Sequence, residues 1–316
     1  MTAVFWIVGI LAALYLLISL VICILACRRF AGQFDPLSAL THATDKLLAP
    51  YHELIDAGQA WLRSQPYESV EMTSFDGLRL RARLFENPQA KGVLVACHGY
   101  RSDGVRDFAS ACRFYNDHGL SILLIDQRAA GESEGKYITF GVRESVDARD
   151  WCALMERRFP GQPILLAGIS MGAASVLMTA DDLPDSVAAL LADCGYTSPW
   201  DEFAFVARRY MPPGAAALLP GVDLWCRALA GFGLRERSAE HALANTTRPV
   251  FFVHGGADGL VPYEDSLENR AACAAPTAMF SVAEADHGIS FLLDPEGYAR
   301  AVSDFLEKNV FHNISI

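Results

Sequence analysis

Charge is missing from the first 27 residues, no two cysteines form a CxxC pair, basic residues are outnumbered, and no internal repeat, low-complexity tract or long linker interrupts the chain. Each absence excludes something. With 26 Lys and Arg against 37 Asp and Glu the net charge is −11, and an acidic body repels phosphate backbones, so nucleic acid is excluded as the expected partner. The same balance speaks against broad electrostatic adhesion to anionic lipid. The eight cysteines (Cys23, Cys27, Cys97, Cys112, Cys152, Cys194, Cys226 and Cys273) are scattered, and several sit in apolar runs such as VLVAC at 93–97, where a thiol acts as a small hydrophobe. They read as reduced core residues, which excludes a disulfide framework and points to a reducing compartment. No two Cys or His stand at ligand spacing outside the apolar N-terminus, so no metal site is expected. At 52% hydrophobic and 20% charged, the 316-residue chain is too apolar for disorder and long enough to bury a full core.

The uncharged run from Val4 to Cys27 is long enough, at about 1.5 Å per helical residue, to cross a hydrocarbon core of about 30 Å. It reads as a transmembrane helix rather than a cleaved signal peptide: a basic leading region is missing, the apolar stretch is too long, and no small-x-small cleavage site precedes the charges. Ile24-Leu25-Ala26-Cys27 only faintly resembles a lipoprotein cleavage box. Arg28 and Arg29 follow the run, whereas no Lys or Arg precedes it, so the positive-inside rule puts the body in the cytoplasm, tethered to the cell membrane by a single pass. Residues 1–30 are the expected anchor. Over 31–66 the apolar residues Leu47, Leu48, Tyr51, Leu54, Ile55, Trp61 and Leu62 recur at near-helical spacing. This is a juxtamembrane amphipathic helix, read as packed on the catalytic body in preference to lying on the membrane surface.

Residues 67–316 form the expected catalytic domain. A hairpin opens it, since VEMTSF and LRLRARLF alternate apolar and polar residues across Asp76-Gly77. Then come short, wholly apolar runs (GVLVAC, SILLID, PILLAG, VAALLAD, PVFFVHG and TAMFSVA), mostly separated by segments of helical periodicity. Continuous apolar strands alternating with helices predict an α/β fold with a mostly parallel sheet covered on both faces. The stretch from about 200 to 240 departs from this order. Rich in aromatic and aliphatic residues and without a strand pattern, it is expected to be a helical cap over the carboxyl ends of the strands, where open α/β sheets bind ligands.

Gly-x-Ser-x-Gly occurs twice, around Ser133 and Ser170. A nucleophile elbow needs an apolar strand before the serine, a helix after it, and tiny residues two positions to either side so that the sharp turn can pack. Ser170 has all of these in PILLA, GISMG and AASVLM; Ser133 lies between two glutamates in a polar loop and is read as structural. A serine hydroxyl needs a base to take its proton, and the base needs a carboxylate to hold its tautomer. In this architecture the chain order is Ser, acid, His. His287, just past the last strand, is the base; Asp258, just past the strand before it, is the acid. Asp193 also ends a strand and stands as the alternative acid, ahead of Asp286. The oxyanion donors are expected to be the backbone N–H groups of Met171 and, in the turn after VLVAC, of Tyr100. His98 and His254 do not fit the chain order and are read as structural. Within the cap, Phe203 and Trp225 are the expected pocket residues.

Taken together, HGY at 98–100, Asp126-Gln127-Arg128 with Gly131 and Ser133, GISMG, Asp193-Cys194-Gly195-Tyr196, HGGADGLVP and ADHG resemble the α/β-hydrolase superfamily, and within it the serine aminopeptidase and lysophospholipase-like group that includes membrane-anchored bacterial hydrolases. The likeness runs from about Val70 to Val310. It implies the α/β-hydrolase fold and an acyl hydrolase working without metal or cofactor. The loop after Asp126 departs from the usual Arg-Gly-His-Gly-x-Ser in having Ala129 and Ala130. The expected activity is hydrolysis of esters or thioesters of apolar, lipid-like acyl groups. The alternatives are a peptidase and, from a different class, a binding protein on a hydrolase fold. The substrate and the oligomeric state are not legible in the residues.

Overall fold

The computed structural model describes residues 1–30 and 47–311. After the N-terminal helix α1 (Thr2–Cys27) come α2 (His52–Ser64) and the strands β1 (Glu68–Thr73) and β2 (Arg79–Phe85), paired antiparallel around the Asp76-Gly77 turn. Gly77 takes a φ of +86°, which its missing Cβ permits. From there β-α units alternate: β3 (Gly92–Cys97), α3 (Gly104–Asp117), β4 (Leu120–Asp126), α4 (Glu144–Arg158), β5 (Ile164–Ile169), α5 (Met171–Leu177) and β6 (Val187–Asp193). The eight strands run in the order β1-β2-β4-β3-β5-β6-β7-β8, where β7 is Val250–Gly255 and β8 is Thr277–Val282; only the pairs β1–β2 and β2–β4 are antiparallel. All six apolar runs of the sequence are strands.

Alternation sorts the core into two layers. Val93, Val95 and Cys97 of β3 face α4 with Trp151, Cys152 and Met155, whereas Leu94 and Ala96 face α3 and the last helix (Pro295–Asn309), with Phe108 and Phe305. Helix α2 lies on α3, where Gly58 leaves no space for a Cβ against the Ala109 carbonyl. Packing on the body is therefore where its described part is found; residues 31–46 of the expected juxtamembrane segment fall outside the described residues. Between β6 and β7 the insertion is helical: α6 (Pro199–Tyr210), α7 (Leu219–Trp225), a π turn at Cys226–Ala230 and α8 (Ala239–Leu243).

A third cluster covers the carboxyl ends of the strands, and here α1 joins the body. Cys23, Ala26 and Cys27 are buried with Phe140, Met171, Tyr196, Val222 and Phe232. The cysteines, scattered in sequence, are free thiols, but Cys23 and Cys27 both place Sγ 3.7 Å from Cys226 Sγ. Arg29 extends the junction, donating to the Gly131 and Ser133 carbonyls at 2.6 Å. In the same loop Ala129 holds a φ of +60°, in the position where the related motif carries glycine, and so bears left-handed strain of about 1–2 kcal/mol. Ser133 is structural: its Oγ donates to the Asp126 carbonyl (2.5 Å) and accepts from Arg81 N–H (2.8 Å).

Candidate active site

One residue, Ser170, connects β5 to α5, and its φ of +57° with ψ of −121° belongs to neither helix nor strand. Such a conformation in a non-glycine residue costs energy and persists only when its surroundings impose it. The two flanking glycines impose it here. A Cβ on Gly172 would fall on the Cys97 carbonyl, and one on Gly168 would fall on the Gly172 carbonyl. Ser170 N–H donates to the Asp193 carbonyl (2.8 Å) and its own carbonyl accepts from Ala174 N–H (2.9 Å), which fixes the turn at the carboxyl edge of the sheet.

His287 and Asp258 come to the same edge on the loops after β8 and β7. Ser170 Oγ lies 2.9 Å from His287 Nε2, and His287 Nδ1 lies 2.8 Å from Asp258 Oδ2. A carboxylate only accepts, so the imidazole carries its proton on Nδ1 and leaves Nε2 open to the serine hydroxyl. The Asp258 side chain is wholly buried. Its Oδ1 accepts from Leu260 N–H (2.8 Å) and Val261 N–H (2.9 Å), and its Oδ2 lies 3.1 Å from His254 Nε2 as well. Burial alone would raise this carboxyl; the His287 charge and the hydrogen bonds from His254, His287 and Val261 outweigh it and hold the group below the carboxylate range. For His287 burial disfavours the charged ring, but Asp258, and behind it Asp193 and Asp286, push the imidazole above its ordinary value.

The competing acids stand elsewhere. Asp193 is half-buried at the end of β6 with its Oδ1 enclosed and unpartnered, and desolvation pushes the carboxyl up to about 6. Asp286 accepts from its neighbour's backbone, His287 N–H at 2.7 Å, and from Gly259 N–H at 2.9 Å, so it ties the two loops together. His98 holds the chain after β4, with Nε2 accepting from Gln127 N–H (3.1 Å). His254 stands beside the acid: both acceptors at its Nε2, Asp258 and the Val261 carbonyl, draw the proton there, while Nδ1 accepts from Ser266 Oγ at 2.6 Å.

Ser170 opens into a cavity of about 1380 Å³ whose walls include Tyr100, Met171, Phe203, Val206, Leu219 and Ile289. The two expected oxyanion donors are thus residues of the cavity beside the serine. Gly99 brings the Tyr100 turn in, since a Cβ there would lie 3.5 Å from Ser170 Cβ. Phe203 lines the cavity, edge-on to Phe140 with ring centroids 4.7 Å apart. Trp225 does not. Its indole N–H donates to the Leu16 carbonyl (2.9 Å), so it faces α1. Two further polar groups stand in the wall. Glu202 Oε2 and Tyr196 Oη are buried without a hydrogen-bond partner, and burial, then the charges of Asp265 and Asp258, pushes Glu202 well above the usual carboxylate range.

Among the described residues, two groups could hold a metal by proximity, with ligand atoms within 4.8 Å of one another: Cys23, Cys27 and Cys226, and Cys194, Asp258 and His287. The first gathers three thiols, one short of a closed structural zinc set. In the second, Asp258 and His287 are already engaged in the Ser170–His287–Asp258 chain, and Cys194 Sγ lies 4.0 Å from His287 Nε2.

The sheet order, the strained serine turn and the acid and histidine on the next two loops have the architecture of the α/β-hydrolase fold, which the solved structures similar to this chain share. Residues 88–221 match the family described as serine aminopeptidase, S33. The uncharacterized protein YqkD of Bacillus subtilis is 23% identical over 250 residues, 77% of this chain and 82% of its own. A thiohydrolase, aneE of Aspergillus aculeatus, is 38% identical over a short stretch of 69 residues, 22% of each chain. An esterase of Pyrococcus furiosus superposes with a TM-score of 0.64 at 21% identity, over 78% of this chain and 92% of the other.

Proposed function

We propose that this protein is a membrane-tethered serine hydrolase that cleaves carboxylic esters or thioesters of apolar acyl groups. The observation that carries the proposal is the run Ser170 Oγ, His287 Nε2, His287 Nδ1, Asp258 Oδ2, with links of 2.9 and 2.8 Å at the mouth of an apolar cavity. Ser170 attacks the acyl carbon as its proton passes to His287 Nε2; Asp258 stabilises the resulting imidazolium; the backbone N–H groups of Tyr100 and Met171 receive the oxyanion. His287 then protonates the departing alkoxide or thiolate, and water, activated by the same histidine, releases the acid from the acyl-enzyme. The chain's likeness to proteins named esterase and thiohydrolase supports both leaving groups. A fluorophosphonate probe should label wild type and not Ser170→Ala. Equal labelling of the two would remove Ser170 from this role.

The pH profile follows from the histidine. His287 must be neutral to accept the serine proton, and its pKa is raised by Asp258, so acylation should rise with pH through a half-point above the ordinary imidazole value of about 6.5. Single-turnover acylation that is flat from pH 5 to pH 8 would contradict a histidine base.

A second reading, an aminoacyl substrate cleaved by a peptidase, is favoured by Glu202. An unpartnered buried carboxyl in the cavity wall is a ready acceptor for an ammonium group, whose charge would draw it to the ionised form. Activity on aminoacyl amides that is lost in Glu202→Gln, with acyl ester cleavage retained, would establish this reading.

The tether is α1. Its last turns are built into the body, where Ile138 N–H donates to the Cys27 carbonyl (2.7 Å) and Tyr100 Oη to the Ala26 carbonyl (2.7 Å), which supports a retained anchor over a cleaved leader. We divide the chain accordingly into the anchor at 1–30, the juxtamembrane segment at 31–66 and the catalytic domain at 67–316. Arg28 and Arg29 favour a cytoplasmic body. Protease added to intact cells should leave the catalytic domain whole, and its digestion there would reverse the orientation.

A further inference from the structure

We infer that α1 is a wall of the acyl-binding cavity as well as a tether, and that its docking on the cap sets the apolar edge of that cavity at bilayer depth, so that the substrate is a long-chain acyl amphiphile taken from the lipid phase. This rests on the hydrolase reading above. Three observations carry it.

The first is the lining. Ile22, Leu25 and Ala26 of α1 face the same cavity as Ser170. Leu25 and Ala26 are also held by the oxyanion turn, since Arg101 donates to the Leu25 carbonyl (2.7 Å) and Tyr100 Oη to that of Ala26.

The second is length. Docking on the cap starts at Tyr15, whose hydroxyl donates to the Ala217 carbonyl (3.2 Å) and accepts from Gly221 N–H (3.0 Å); next comes the Leu16 carbonyl, bonded to Trp225. Within α1, Thr2–Leu14 precedes these contacts, about 20 Å of helix at about 1.5 Å per residue, against a hydrocarbon core of about 30 Å. A spanning α1 must therefore submerge its docked part as well, and with it the cap residues 217–225. No gap is available to avoid this, because a Cβ on Gly221 would fall on Ser19 Oγ.

The third is the cap surface. Leu224 and Leu229 are exposed, as are Tyr210 and Met211, which also line the cavity. The cavity is also bounded by exposed His52 and Asp56 of α2. One edge is apolar and lies beside the submerged helix, while the other is polar. An amphiphile with its chain toward Met211 and Ile22 and its polar end toward water fits both.

The test uses the full chain in phosphatidylcholine vesicles. A phospholipid bearing a diazirine on its acyl chain should, on irradiation, label peptides containing Ile22–Ala26 and Tyr210–Leu219 in Ser170→Ala protein. Labelling confined to residues 2–18 overturns the inference whether or not the protein is an esterase. Gly221→Leu wedges α1 from the cap at a residue that does not itself line the cavity. It should keep fluorophosphonate labelling and hydrolysis of p-nitrophenyl acetate within about two-fold, while hydrolysis of a vesicle-borne long-chain ester falls at least ten-fold. Should this variant be unstable, Leu25→Trp, which fills the cavity from α1, should shift the preference from long toward short chains by a similar factor. Unchanged long-chain hydrolysis in the folded variants overturns the inference. Cavity labelling without any hydrolysis by wild type would instead sink the hydrolase reading and leave a lipid-binding cavity.

Discussion

Asp258→Asn should lower kcat by about 10³- to 10⁴-fold with little change in KM. The loss follows from counting donors. Asp258 faces two backbone N–H groups with Oδ1 and two imidazoles with Oδ2, all four of them donors. Asparagine has a single acceptor oxygen. If that oxygen takes the Leu260 and Val261 N–H groups, the amide NH₂ points at His287 and at His254. His287 Nδ1 must then accept, its proton moves to Nε2, and the nitrogen that should receive the serine proton is already occupied. Binding of the substrate does not involve this exchange, so KM is spared. Asp193→Asn is the control: its carboxyl makes no contact with His287 Nδ1, so amidation leaves the tautomer of the imidazole in place. Steady-state kinetics on one ester decide the matter, and a crippled Asp193→Asn beside a mild Asp258→Asn would reassign the acid.

The parts legible in the sequence are those fixed by local sterics or by strand periodicity. The Ser170 turn demands glycine at 168 and 172 because the chain itself closes on them, and that demand is written within five residues. The same holds for the strands, whose burial on both faces leaves unbroken apolar runs. Ser133 is legible as structural because, although glycines flank it too, no apolar strand leads directly into its polar loop and no helix follows it. What remained hidden depends on contacts with no local trace. Cys226 meets Cys23 and Cys27 from about 200 residues away, and Trp225 looked like a pocket residue because nothing in its own segment records that α1 lies against it. His254 was set aside because it falls outside the chain order, although its place four residues before Asp258 allows it to brace that carboxylate. Glu202 sits on a helix whose face toward the cavity is defined only by the fold.

Asp147→Ala should cost about 3–5 kcal/mol of stability, the largest loss expected from a single residue far from Ser170. Arg128 is buried and so is Asp147, which binds it in a fork with Nε to Oδ2 at 2.6 Å and Nη2 to Oδ1 at 2.8 Å. Its other partner, Asp76 of the hairpin turn, is 2.9 Å from Nη1 but partly exposed. The expected loss comes less from the attraction removed than from the guanidinium left behind, whose charge Asp76 can offset only through a partly solvated contact. Arg128 is too deep to regain water without opening the packing of α4 on the sheet. A urea midpoint lowered at constant slope would register the effect as a change in stability alone. The companion experiment separates penalty from attraction: replacing both partners with apolar residues, Arg128→Met with Asp147→Leu, should restore most of the stability, since no buried charge then lacks a counterpart. If the double variant is as unstable as Asp147→Ala, then the link through Arg128 to Asp76, which ties the hairpin to the parallel part of the sheet, contributes more than the relief of the stranded charge.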